Sequence, residues 1–257
     1  MVSINENEVA RRAESLLKHG FPRAAIDVLE VALQEAPEAG ALWRLRAVLL
    51  QREGRRDEAF DNVQRAMVLV PLGHEALLVL ADGYARGGQR VSAADVYLQL
   101  AADEGFLGEL WEPLYAGLCT VRKWQAALGF CRRMARERSD DDRVYFAMAH
   151  ALGRLGRPPE LSLNMIRTAI DLNPCEPRYR VSLAVQLLRV GRSDDAYRAI
   201  VEISNEALAT LSCRCCLQKA LQLCIERGDG MRAAMIASQL AVTAAAHAAK
   251  KSQEGES

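Results

Sequence analysis

A glycine recurs at a nearly constant interval along this chain, and that periodicity constrains the fold more than any other feature. The spacings between successive members are 34, 34, 68, 35 and 37 residues, and the 68-residue step is twice 34. The members are Gly20, Gly54, Gly88, Gly156, Gly191 and Gly228. Arg122 occupies the place where the 68-residue step lacks its glycine. A period of this length predicts stacked copies of one small structural unit.

A small residue comes soon after each position of the glycine repeat. The members of this second column are Ala25, Ala59, Ala93, Ala127, Ser162, Ala196 and Ala233. A glycine just past a helix takes the left-handed conformation that caps it, and a small side chain lets two helices approach closely. Proline ends three units, at Pro37, Pro71 and Pro174, because it cannot continue a helix. Each unit is therefore predicted to be a helix, a short turn and a second helix.

The composition also predicts a helical protein. Hydrophobic residues make up 50% of the chain and aromatic residues only 5%. Alanine, leucine and arginine, which favour helices, dominate the chain, and the β-branched residues do not cluster into runs typical of strands. Because one helical hairpin cannot bury its own apolar face, the units are expected to stack on their neighbours.

The period and its motifs resemble the tetratricopeptide repeat. The second unit matches that pattern at Trp43, Ala47, Leu50, Gly54, Ala59, Ala66 and Pro71. The third and fourth units also match well, the first, sixth and seventh less so, and the fifth departs most, with Ser162 in place of the alanine. The resemblance covers roughly residues 6–245.

This resemblance implies an all-α fold, a right-handed α-solenoid of about seven helix-turn-helix hairpins. A single solenoid is expected over residues 6–249. The approximate units are 6–39, 40–73, 74–107, 108–141, 142–176, 177–213 and 214–249. Residues 250–257 are expected to form a polar C-terminal tail.

Several functional classes are disfavoured by the sequence. It contains no Walker-type phosphate loop, no H-E-x-x-H and no G-x-S-x-G motif, and its four histidines are scattered. We therefore expect a protein that is not an enzyme and uses no cofactor. Lys plus Arg and Asp plus Glu both total 33, so the net charge of zero gives no overall attraction to nucleic acid.

The sequence also predicts where the protein is located and the redox state of its cysteines. No apolar stretch is long enough to cross a membrane, and the first residues lack the features of a secretory signal. Seven cysteines, an odd number, cannot all pair within the chain. We therefore expect no membrane insertion and a cytoplasmic location with reduced thiols.

Four of the cysteines fall in the first helix predicted for the seventh unit: Cys213, Cys215, Cys216 and Cys224. On a helix Cys213 and Cys216 share a face, whereas Cys215 points elsewhere. Four thiolates are then not expected to converge on one metal ion, and packing as small apolar residues is favoured. No metal site is expected, although a redox or metal role for the cluster stays open.

The resemblance also implies a binding groove, because the first helices of tetratricopeptide repeats line a concave surface. The predicted groove residues are Arg44, Val48, Arg52, Leu78, Asp82, Arg86, Phe146, His150, Arg154, Val185 and Arg189. Most of the arginines lie two positions before the recurring glycine. A cation near a helix C-terminus is also favoured by the helix dipole alone, so this column has a purely structural alternative.

The resemblance implies a protein interaction scaffold or adaptor that binds a protein or peptide partner in the groove. An assembly factor is one form that such a scaffold can take. One known mode is excluded, since the family's clamp for C-terminal carboxylates would need basic and amide residues where Ala10, Glu14, Glu75 and Val79 stand. Two alternatives stay open. One is a self-assembling structural scaffold, a homo-oligomer, and the other is a peptide-sensing regulator.

Overall fold

The computed structural model of the protein describes residues 5–254, with side chains described up to residue 245. All regular secondary structure in that range is helical, as predicted, and no strand occurs in it. The described residues form two compact units that divide within one helix, the first ending at Phe130 and the second beginning at Cys131. The single solenoid over residues 6–249 stays a prediction.

The first unit consists of consecutive helical hairpins. Its helices are α1 Glu6–Lys18, α2 Pro22–Glu35, α3 Gly40–Arg52, α4 Arg56–Leu69, α5 His74–Arg86, α6 Arg90–Ala102, α7 Trp111–Thr120 and the start of α8 Trp124–Glu137. A 3₁₀ turn, Gly108–Leu110, precedes α7. Within the hairpins α1 packs on α2, α3 on α4 and α5 on α6. The first helices also pack on each other, α1 on α3, α3 on α5 and α5 on α7, so they form one layer.

The second unit repeats this arrangement with one interruption. Its helices are α9 Asp142–Arg154, α10 Pro159–Leu172, α11 Pro177–Arg189, α12 Ser193–Val201, α13 Asn205–Leu208, α14 Arg214–Glu226 and α15 Gly230–Glu254. The hairpins are α9 with α10, α11 with α12 and α14 with α15, and α11 packs directly on α14. The short α13, capped by Ser204, packs on α15 and occupies the place where the repeat period lengthens.

The recurring glycines take the conformation that the sequence predicts. All six have positive φ, between 63° and 81°. Arg122 joins them with φ of 61°, and within residues 5–254 it is the only non-glycine residue in that region. In the first turn the amide of Phe21 donates to the carbonyl of Leu16 at 2.9 Å, a bond that closes the helix end.

The small residues of the second column lie in the core between paired helices. Ala25, Ala59 and Ala93 have no exposed surface. Ser162, which takes the place of alanine, is also buried, and its hydroxyl donates to the carbonyl of Ala149 at 3.2 Å, so its polar group has a partner. Trp43 and Trp111 are also buried, which fits a packing role for both rings.

The last helix extends into the segment that was expected to form a polar C-terminal tail. Helix α15 continues to Glu254, so residues 250–254 of the expected polar tail are helical, while residues 255–257 lie outside the described part of the chain. Across residues 5–254, no helix has both the length and the apolar character needed to cross a membrane.

Candidate partner-binding site

A groove runs between the first helices of three hairpins in the first unit. It has a volume of about 380 Å³, and α3, α5 and α7 supply most of its walls. We call it the first groove and define it by its lining residues. They are Val48, Gln51, Arg52, Glu75, Leu78, Val79, Asp82, Tyr97, Leu110, Pro113, Ala116, Gly117 and Thr120. The walls are mostly apolar, and polar side chains stand among them.

The charges of the first groove are largely paired. Arg52 binds Glu75 at 2.7 Å, an ion pair open to solvent. The amide of Gln51 donates to the carboxylate of Asp82 at 3.3 Å, and Arg86 binds the same carboxylate oxygen at 3.2 Å. The groove therefore offers an apolar surface with oriented polar groups rather than a strong field of one sign.

A second groove lies between α9, α11 and α14 of the second unit, with a volume of about 410 Å³. We call it the second groove. Its lining residues are His150, Gly153, Arg154, Ser182, Val185, Gln186, Arg189, Cys215, Cys216 and Lys219. These include three cationic side chains and no carboxylate. Desolvation by the surrounding residues and, next, the positive charge of Arg154 lower the pKa of His150 below its ordinary value.

Eight of the eleven predicted groove residues line these two grooves. Val48, Arg52, Leu78 and Asp82 line the first, and His150, Arg154, Val185 and Arg189 line the second.

The other three predicted residues contact neighbouring helices or loops instead. Arg44 donates to the carbonyl of Pro71 at 2.9 Å. The ring of Phe146 packs against Tyr179 with 4.8 Å between centroids. Arg86 binds Asp57 and the carbonyl of Arg56 on the preceding hairpin. Each of these side chains stabilises the stacking of hairpins.

The structure places in the two grooves several residues that were not predicted to lie there. Ala116 and Thr120 are exposed on α7, and Lys219 is exposed on α14. A signal for Lys219 existed, because it lies seven residues before Glu226, which stands two positions before the recurring Gly228 as the predicted groove arginines do before their glycines. Seven residues is close to two helical turns, which returns a side chain to the same face.

The cysteine cluster is arranged differently from the prediction. Cys213 lies before α14 as its N-cap residue, with an extended backbone, so helical spacing does not apply to it. As a result the Cys215 sulfur lies 3.3 Å from that of Cys213 and 4.0 Å from that of Cys216. The expectation that Cys215 points away was wrong. Cys224 is buried and packs in the core, as predicted.

Hydrogen bonding favours ionisation at one of these thiols. Burial opposes ionisation of Cys213, but hydrogen bonds from the thiols and backbone N–H groups of Cys216 and Cys215 outweigh it and lower its pKa. Burial, followed by the interaction with Cys213, raises the pKa of Cys216 to about 12.

The family model described as tetratricopeptide repeat matches residues 14–163, more than half of the chain. The chain belongs to the tetratricopeptide repeat family. Tetratricopeptide repeats support protein–protein interaction in general, which agrees with grooves lined by the first helices of the hairpins. No curated protein matches the chain.

Solved tetratricopeptide repeat structures share the fold at low sequence identity. MamA MSR-1 is 19% identical with a TM-score of 0.53, over 63% of this chain and 93% of that one. PilW, a widely conserved type IV pilus biogenesis factor, is 14% identical with a TM-score of 0.60, over 76% of this chain and 90% of its own. The C-terminal part of a repeat protein from Cytophaga hutchinsonii is 12% identical with a TM-score of 0.64, over 91% and 94% respectively.

Proposed function

We propose that this protein is a non-catalytic scaffold that binds a segment of a partner protein in the first groove. The observation that carries the proposal is the apolar wall between α3, α5 and α7, where Pro113 and Ala116 are exposed beside Leu78. A concave apolar surface with a few oriented polar groups is the usual form of a binding site. The Arg52–Glu75 pair and the Asp82 carboxylate then orient the bound segment.

The second groove is proposed to bind acidic residues of the same or another partner. Arg189 and Lys219 are exposed there, and the lining residues include no carboxylate to neutralise them. A local cationic patch attracts an acidic segment even when the whole chain is neutral, because screening acts over about 8–10 Å at ordinary salt.

The wider role that we propose is assembly of a larger complex in the cytoplasm. PilW, which shares the fold, is a biogenesis factor. The odd number of cysteines supports a reducing compartment, since seven thiols cannot all pair within one chain.

The test is photo-crosslinking from inside the groove. A benzoylphenylalanine in place of Thr120, which is exposed in the first groove, is compared with one in place of Gln99, which is exposed on α6 outside both grooves. We expect a discrete partner adduct from position 120 and none from position 99. Equal labelling from both positions, or none from either, would contradict the proposal.

A blocking variant separates the groove from the rest of the surface. Ala116→Arg should fill the groove and abolish the adduct, whereas Gln99→Arg should leave it intact. Both positions are exposed or nearly so, and such surface changes alter stability by only about 0.5 kcal/mol. Circular dichroism of the two variants should therefore match that of the wild type.

Self-assembly is a second candidate, and the end of α4 favours it. Three consecutive apolar residues are exposed there, Met67 at 46%, Val68 at 82% and Leu69 at 44%. Light scattering across a concentration series tests this candidate. If copies associate through this patch, Val68→Glu should shift the protein to monomer, and a monomeric wild type at all concentrations would exclude the candidate.

A further inference from the structure

Three thiols converge at the start of α14 within a single chain. The sulfurs of Cys213, Cys215 and Cys216 all lie within 4.8 Å of one another. The separation is 3.3 Å between Cys213 and Cys215 and 4.0 Å between Cys215 and Cys216. Among the residues whose side chains the structure describes, this is the one group of metal-ligating side chains with such spacing.

These separations suit a common metal ion. A metal–thiolate bond is about 2.3 Å long, so two sulfurs on one ion lie about 3.8 Å apart in tetrahedral geometry and about 4.0 Å apart in trigonal geometry. The observed distances of 3.3 and 4.0 Å fall on both sides of that value, and all three sulfurs lie within 4.8 Å of one another, so we expect small side-chain rotations to suffice for binding one ion. Cys213 and Cys215 are exposed, so an ion can reach them from solvent.

Packing alone does not account for the cluster. A cysteine that acts as a small apolar residue is buried, as Cys224 is at the centre of the second unit's core. Cys213 and Cys215 are exposed instead, and their sulfurs lie 3.3 Å apart. Cys216 alone of the three packs partly against that core.

We propose that Cys213, Cys215 and Cys216 bind one thiophilic metal ion per chain, and that copper(I) is preferred to zinc(II). Thiolates select soft ions, chiefly copper(I) and zinc(II). Zinc in a structural site takes four protein ligands, whereas copper(I) is satisfied by three thiolates. No histidine, carboxylate or fourth cysteine joins the group among the described side chains, and this favours the three-coordinate ion.

The surroundings stabilise the thiolates that such an ion requires. The sulfurs lie at the N-terminus of a helix of 13 residues, where the partial positive charge of the backbone favours anions. Cys215 and Cys216 also line the second groove together with Arg189 and Lys219, whose charges favour a negatively charged metal–thiolate group. A bound ion would lie at the wall of the second groove.

The test is anaerobic titration of the full, reduced chain with copper(I) against a colorimetric chelator, with native mass spectrometry to count bound ions. We expect one copper(I) per chain, and weaker retention of zinc(II). Cys213→Ser, Cys215→Ser and Cys216→Ser should each weaken copper binding by more than about tenfold, because even the outer shell of a metal site is worth that much. Cys175→Ser, which removes an exposed cysteine outside the cluster, is the matched control and should bind as the wild type does.

The design separates loss of the site from loss of the fold. Serine is a preferred N-cap residue, so Cys213→Ser keeps the start of α14, and circular dichroism should show unchanged helicity. Three results would overturn the proposal. The first is full copper binding by a variant that carries all three serine substitutions, and the second is one ion shared by two chains. The third is a reduced cluster that retains no metal and forms a disulfide when exposed to air.

Discussion

Arg86 at the end of α5 binds Asp57 in the first turn of α4, with 2.5 Å between its Nη1 atom and the carboxylate. The same guanidinium donates to the carbonyl of Arg56 at 2.8 Å and to Asp82 at 3.2 Å. Its side chain is 30% exposed. One residue of the predicted basic column therefore ties two consecutive hairpins together, whereas Arg189 in the same column is exposed in the second groove.

Charge reversal at these two arginines should have different effects on stability. Arg86→Glu places a carboxylate beside Asp57 and Asp82 and should cost about 1–2 kcal/mol, since it loses favourable pairs and adds repulsion. Arg189→Glu, the matched control on an exposed helix end, should change stability by less than about 0.5 kcal/mol. Urea denaturation followed by circular dichroism measures both. Equal midpoints for the two variants would show that the Arg86 contacts contribute nothing.

Two glycines of the first helices allow an aromatic ring of the preceding hairpin to approach closely. A Cβ atom on Gly83 would lie 1.9 Å from Phe60, and one on Gly117 would lie 2.2 Å from Tyr97. Phe60 also packs edge-on against Tyr84, with 5.5 Å between centroids, which restricts its escape. Gly83→Ala and Gly117→Ala should therefore destabilise the protein by about 1–3 kcal/mol through overpacking.

Gly129 supplies the control for that prediction. It lies within α8, and a Cβ atom there would meet nothing within 4 Å. Gly129→Ala should stabilise the protein by about 0.5–1 kcal/mol, because alanine is the better helix former. The melting temperature should thus fall for Gly83→Ala and Gly117→Ala and rise for Gly129→Ala. A stabilised Gly83→Ala variant would mean that α5 can move away from Phe60 without loss of stability.

The second groove should bind acidic peptides in a salt-dependent manner. A labelled polyglutamate peptide serves as the probe, and fluorescence anisotropy measures its binding. Arg189→Glu combined with Lys219→Glu should weaken binding by about tenfold or more and flatten its dependence on salt. Arg90→Glu, which reverses an exposed charge on α6 outside both grooves, should leave binding unchanged. If the double variant binds as the wild type does, the basic lining of the groove has no role in recognition.

The hairpins could be predicted from the sequence because local rules determine them. A glycine past a helix end meets the backbone conformation required there, and a small residue inside the following helix permits close packing of the two helices. Both requirements act within a few residues of the turn. The six glycines with positive φ and the buried Ala59 satisfy those constraints. The extra helix α13 could not be predicted in the same way, since a longer interval between units does not specify what fills it.

The site was less predictable because it depends on side chains that reach across hairpins. Helical spacing placed Arg52 and Arg86 in one column, yet Arg86 reaches Asp57, a residue 29 positions away in the sequence. The cysteine cluster depended on where α14 begins. With the helix starting at Arg214, Cys213 has φ of −77° and ψ of 102°, and its sulfur lies against that of Cys215.

Arg122 departs from the repeat in residue type but not in backbone conformation, and this gives the sharpest test of the turn. It has φ of 61°, where six glycines stand at the corresponding positions. A residue with a Cβ atom is destabilised by about 1–2 kcal/mol in that region. Replacing it with glycine removes this strain, but the greater freedom of glycine in the unfolded chain offsets part of the gain. Arg122→Gly should therefore stabilise the protein by about 0.5–1 kcal/mol.

Two companion variants show whether the gain comes from the backbone. Arg122→Ala removes the same long side chain but keeps a Cβ atom, so it should give no comparable gain. Gly54→Ala introduces the strain at an equivalent turn, where φ is 79°, and should cost about 1 kcal/mol. Relative to the wild type, the urea midpoint should rise for Arg122→Gly, stay nearly the same for Arg122→Ala and fall for Gly54→Ala. A gain from Arg122→Ala equal to that from Arg122→Gly would assign the effect to the arginine side chain and reject backbone strain at this turn.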